Sequence, residues 1–92
     1  MKESYIENTC VNYARLFGVK SIKLSIQSNV GYPDRLFIVD GGKPMFVEFK
    51  SPGGKLSKKQ EVIIDDLRQK GYNVSVCNSI ETFKQMLENI LK

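Results

Sequence analysis

The chain has 92 residues, with 14 lysines and arginines against 10 acidic residues, a net charge of +4 and no histidine. Without histidine there is no imidazole acid–base catalysis, no Ser-His or Cys-His nucleophile pair and no common zinc site, which leaves oxygen-ligand metal chemistry. The length suits a single domain over residues 1–92, the lack of a signal peptide or apolar span predicts a cytoplasmic protein without a membrane partner, and the basic balance favours a polyanion.

Residues 4–17 read as a helix, since Ile6, Cys10, Tyr13, Ala14 and Phe17 recur at helical spacing and Gly18 follows. Glu7 borders this apolar stripe. It is either a carboxylate favoured near a helix N-terminus or an acidic group turned towards a site. Residues 19–27 alternate Ile22, Leu24 and Ile26 with Lys23, Ser25 and Gln27, which predicts a half-buried strand with Lys20 and Lys23 in solvent. Cys10 and Cys77 read as reduced thiols and possible core neighbours.

The stretch from Gly31 to Lys50 reads as a β-hairpin. Gly31 and Pro33 shape the loop that delivers Asp34, an apolar run follows, Gly41-Gly42 marks the reversal, and Met45, Val47 and Phe49 alternate with Phe46, Glu48 and Lys50. Asp40 and Lys43 flank the turn as structural residues. Period two places Glu48 and Lys50 on one face. A turn centred near Gly41 sets Asp34 opposite Glu48, with Cβ atoms about 5 Å apart. Two carboxylates that close repel each other unless a cation lies between them, so a divalent metal is expected, with Lys50 beside it.

Residues 57–70 form the next expected helix, with Ser57 and Gln60 as a capping box, an inner face of Gln60, Ile63, Ile64 and Leu67, and Gly71 as terminator. Lys58 and Lys59 fall in its first turn, where a bound phosphate would offset the unfavourable dipole. Residues 72–77 make a short strand, parallel to the Glu48 strand because a helix connects them. Asn78 or Ser79 then caps a last helix with Phe83, Leu87 and Ile90 on its apolar face, a structural element or an oligomer contact.

Pro33-Asp34 followed by Glu48-Phe49-Lys50 resembles the PD-(D/E)XK nuclease signature. The segment Gly31-Tyr32-Pro33-Asp34-Arg35-Leu36, the Phe46–Lys50 strand, the loop Ser51-Pro52-Gly53-Gly54-Lys55-Leu56 and Gln60 resemble the VRR-NUC branch, the virus-type replication-repair nucleases. The resemblance implies an α/β, restriction-endonuclease-like αβββαβα core with a mixed four-stranded sheet flanked by helices, the order read above. It also implies a metal-dependent deoxyribonuclease. Asp34, Glu48 and the backbone carbonyl of Phe49 would hold Mg2+ or Mn2+, and Lys50 would orient water or stabilise developing charge. Glu7 could complete the site or hold a second ion, because the family carries a glutamate on its first helix. The family also places a glutamine near its site, which gives Gln60 a reading beyond its cap.

DNA contacts are expected from Gly31, Tyr32, Arg35, Lys55, Lys58 and Lys59. No base-reading motif is visible, so recognition would rest on phosphate and shape. A small homodimer cutting two strands of branched DNA, such as a Holliday junction, fits this reading, in a phage or mobile-element repair setting. The rivals are a sequence-specific restriction-type endonuclease, which would share the catalytic residues, and a non-catalytic nucleic-acid-binding module of the same fold.

Overall fold

The structure, a computed structural model, describes residues 1–24, 30–42 and 44–92. Helix α1 (Glu3–Arg15) buries Ile6, Cys10, Val11 and Ala14, and Gly18, at φ 76°, lets the chain reverse where a side chain would be strained. Four strands follow the expected order: β1 (Lys20–Lys23), β2 (Arg35–Ile38), β3 (Met45–Phe49) and, after helix α2 (Lys58–Gln69), β4 (Asn73–Cys77). Helix α3 (Ile80–Leu91) closes the fold, with the Ser79 side chain accepting a hydrogen bond from Thr82 N–H.

The sheet runs β1-β2-β3-β4, antiparallel across the first three strands and parallel between β3 and β4, as the α2 crossover requires. Its two faces carry different cores. On one, Phe37, Met45, Val47 and Phe49 pack with Ile6, Cys10, Phe83 and Leu87 from α1 and α3, and the rings of Phe37 and Phe83 lie 5.1 Å apart. On the other, Ile64 and Leu67 of α2 cover Val74, with Phe46, Leu56 and Val76 at the margin. Cys10 and Cys77 are both buried in the larger core as free thiols. No helix among the described residues is long and apolar enough to cross a membrane.

The first strand departs from the alternation. Ile22, expected inside, is 48% exposed, whereas Lys23 is exposed as expected while its Nζ also bonds to Glu7. The cause is the layering: α1 packs on β1 while α2 packs on β4, so the Ile22 face of this edge strand has no helix above it. The expected continuation through Ile26 and Gln27 lies outside the described residues, as does Lys43 of the hairpin turn.

Candidate active site

Three local features bring the site together. The hairpin register pairs Arg35 with Val47, and one step further along the ladder Asp34 faces Glu48. The turn that sets this register has Gly41 at φ 66° and Gly42 N–H donating to the Val39 carbonyl at 3.1 Å. The Phe49 N–H donates to Asp34 Oδ2 at 2.8 Å and fixes that carboxylate across the strand end.

Glu48 is 2% exposed, in the middle of a sheet. One of its oxygens, Oε2, accepts from Gln60 Nε2 at 3.1 Å and lies 3.5 Å from Lys50 Nζ. The other, Oε1, is buried with no hydrogen-bond partner among the described residues. Such an orphan costs about 1–3 kcal/mol, and more for a charged group. Burial, reinforced by the Asp34 charge and only partly offset by Lys50, pushes the Glu48 carboxyl up to about 7. Burial raises Asp34 as well, against the opposing bond from Phe49.

Gln60 joins two structures with one amide. Its Oε1 accepts from Ser57 N–H at 2.9 Å while its own N–H bonds to Ser57 Oγ, which completes the capping box. With the oxygen committed to the cap, the NH2 group can only face outwards, and it meets Glu48. Capping and contact with the acidic pair are therefore compatible in a single rotamer.

Glu7 is held by two cations. Its Oε2 accepts from Lys23 Nζ and from Arg35 Nε, each at 2.6 Å. Burial alone would raise this carboxyl, but the two cations outweigh burial and hold it below the usual range. Arg35, read as a DNA contact, spends its guanidinium on Glu7 and on Ser21 Oγ at 3.1 Å, and is therefore turned into the domain. Glu3 is absent from the sequence-based candidates. Its carboxylate joins those of Asp34 and Glu48, with ligand oxygens all within 4.8 Å of one another. The available signal was spacing: Glu3 and Glu7 lie four apart on one helical face.

The remaining candidates lie at the surface. Tyr32 is 45% exposed, and Lys55, Lys58 and Lys59 are exposed without ion-pair partners among the described residues. Gly31, expected to bring backbone close to a ligand, lies against α2: a Cβ there would meet Ile63 Cδ1 at 2.7 Å and Lys59 Cγ at 2.9 Å.

An acidic cluster built on a buried glutamate of an interior strand, with a lysine 3.5 Å from that carboxylate and a mixed sheet between helical layers, is the layout of a nuclease-type α/β domain. The family model of the VRR-NUC domain matches residues 9–81, and the chain belongs to that family. A solved structure described as a VRR_NUC domain is similar over 94% of this chain and 94% of its own, with a TM-score of 0.83 and 28% identity. No curated protein matches the chain.

Proposed function

We propose that this chain is a metal-dependent endonuclease that hydrolyses DNA phosphodiester bonds. The observation that carries the reading is Glu48: a carboxylate this deep, with one oxygen unpartnered and Asp34 beside it, is costly unless a cation is bound. The donors fit a hard ion, being oxygens without thiol or imidazole among them. Asp34, Glu48 and the backbone carbonyl of Phe49 would hold Mg2+ or Mn2+, which when bound supplies positive charge at the attacked phosphate and makes water more acidic.

The chain's own groups do the rest. Gln60 Nε2 holds Glu48 Oε2, which leaves Oε1 free to face the site. Burial pushes the Glu48 carboxyl up to about 7, so a bound cation would compete with a proton there. Lys50 Nζ, with its side chain 17% exposed, orients the attacking water or donates to an oxygen gaining negative charge, as a compact ammonium can. Glu7 acts at one remove, by fixing Arg35 and Lys23 behind Asp34.

Lys55, Lys58, Lys59 and Tyr32 meet the DNA backbone. Lys58 and Lys59 open α2, whose N-terminal dipole also favours phosphate. The domain measures 33 × 32 × 21 Å, enough for one site on one strand. A symmetric pair would supply two sites, which suits branched DNA such as a four-way junction. The free buried thiols agree with a cytoplasmic setting.

The test is cleavage of a labelled four-way junction, a flap and linear duplex, each with Mg2+, Mn2+ or chelator, by the protein and by Asp34→Ala. Metal-dependent cutting that Asp34→Ala abolishes is expected, with the junction preferred. Binding without cutting under either metal would refute the nuclease reading in favour of a non-catalytic module.

A further inference from the structure

We infer that Lys23 binds a backbone phosphate and anchors the cleaved DNA strand on the β1 side of the acidic cluster, across the site from Lys58 and Lys59. The inference rests on the nuclease reading above and assigns the path of the strand over that site.

Three observations carry it, and the first is placement. The N–H of Leu24, the residue after Lys23, donates to the Asp34 carbonyl at 2.8 Å, so the end of β1 lies directly beside Asp34. From the helix side, Lys23 Nζ is held on Glu7, which stands one turn, about 6 Å, along α1 from Glu3. The Glu3 carboxylate gathers with those of Asp34 and Glu48. Burial raises the Asp34 carboxyl, and the Phe49 N–H, Lys23 and Lys50 pull it back, so the charge of Lys23 is felt within the site.

The second observation is surplus charge. Lys23 and Arg35 both donate to Glu7 Oε2 at 2.6 Å, so two cations answer one carboxylate. Arg35 is the inner partner, with a side chain 18% exposed and a further bond to Ser21. The Lys23 side chain is 45% exposed. An ammonium has three N–H donors, and the bond to Glu7 uses one of them. The others can meet an anion arriving from solvent while Glu7 keeps the flexible stem in place, which lowers the ordering cost of binding.

The third is order across the fold. Lys23 on β1, Asp34 at the start of β2 and Glu48 on β3 follow one another across neighbouring strands, and Gln60 joins Glu48 to the first turn of α2, where Lys58 and Lys59 are exposed. Strands lie about 4.8 Å apart, and a DNA strand carries one phosphate for about every 3.4 Å of axis. A backbone whose attacked phosphate sits over the carboxylates therefore brings neighbouring phosphates to Lys23 on one side and to Lys58 and Lys59 on the other.

A simpler role exists, since Lys23 also neutralises Glu7. Exposed ion pairs of this kind contribute little, and Arg35 continues to hold Glu7 when Lys23 is replaced. The two roles differ in what the DNA feels.

The experiment measures binding of a labelled four-way junction in Ca2+, between about 50 and about 200 mM salt, by the wild type, Lys23→Gln, Lys23→Thr and Lys23→Arg. It is repeated with junctions that carry a single neutral methylphosphonate on either side of the cut mapped in Mg2+. Loss of one phosphate contact lowers the salt slope by about one, so over this range the wild type should lose about threefold more affinity than either neutral variant. Lys23→Arg should follow the wild type. Methylphosphonates on one side of the cut should weaken binding by the wild type and leave the neutral variants unaffected, whereas those on the other side should weaken all four proteins. If the neutral variants melt lower but keep the wild-type salt slope and methylphosphonate pattern, Lys23 is only a partner of Glu7 and the inference falls, while cutting by the wild type keeps the nuclease reading. A wild type that does not cut the junction overturns both. Two neutral replacements keep the comparison available if one does not fold, and threonine in particular suits an exposed strand.

Discussion

Replacing Glu48 by glutamine should stabilise the metal-free protein while abolishing its activity. The carboxyl is raised from 4.5 to about 7 in the folded chain, which corresponds to about 3 kcal/mol. Between those pH values the folded protein keeps a proton that the unfolded chain has lost, so stability falls as pH rises through the window, and above about 7 the whole penalty stands. The glutamine is neutral throughout, can still accept from Gln60, and offers an NH2 where Oε1 finds no partner. Loss of the 3.5 Å contact with Lys50 offsets part of the gain. In chelator, urea denaturation should therefore find Glu48→Gln close to wild type at about pH 5 and more stable by about 1–3 kcal/mol at about pH 8, equivalent to roughly 4–20 °C in melting temperature. Saturating Mn2+ should reverse the order, because only the wild type gains from binding. A stability difference that is the same at both pH values would refute the claim that an unneutralised buried charge resides on Glu48.

Other substitutions separate roles that share a residue. Gln60→Glu keeps an acceptor for Ser57 N–H but sets a second carboxylate against Glu48, so cleavage should drop steeply with the helix intact by circular dichroism; Gln60→Ala should also lose about 1 kcal/mol of cap stability in urea. Gly31→Ala, at φ 93° and pressed against Ile63 and Lys59, should cost about 1–3 kcal/mol by the same assay. The thiols of Cys10 and Cys77, pushed by burial up to about 12 and about 11, should resist alkylation at neutral pH until the protein is denatured; rapid labelling of the native chain would contradict their burial.

Local rules make much of this architecture legible in the sequence. The facing of Asp34 and Glu48 follows from strand period and a Gly-Gly turn, and the Ser57–Gln60 box from the chemistry of a helix start, because both depend on residues close in sequence. What alternation could not supply is which sheet face a helix covers. The shared contact of Lys23 and Arg35 with Glu7 is therefore invisible until α1 is seen packed beside the first two strands. Glu3 is hidden for a related reason: an exposed acid at a helix start has a sufficient local explanation, and only the packing of α1 against the sheet brings it to Asp34 and Glu48.

The parallel pairing of β3 with β4 also bears on when activity can first emerge during synthesis. Asp34, Glu48, Lys50 and Gln60 leave the ribosome within a single short segment, yet the strand that holds Glu48 gains its second neighbour only when Val76 and Cys77 have been made, and Lys50 N–H bonds to the Cys77 carbonyl at 2.9 Å. Until then β3 is an open edge, and the floor beneath the carboxylates lacks Phe83. A nascent chain stalled short of β4 would carry every one of those four side chains and still present them on an unfinished surface, so its nucleolytic competence should arrive abruptly, with the last strand and helix.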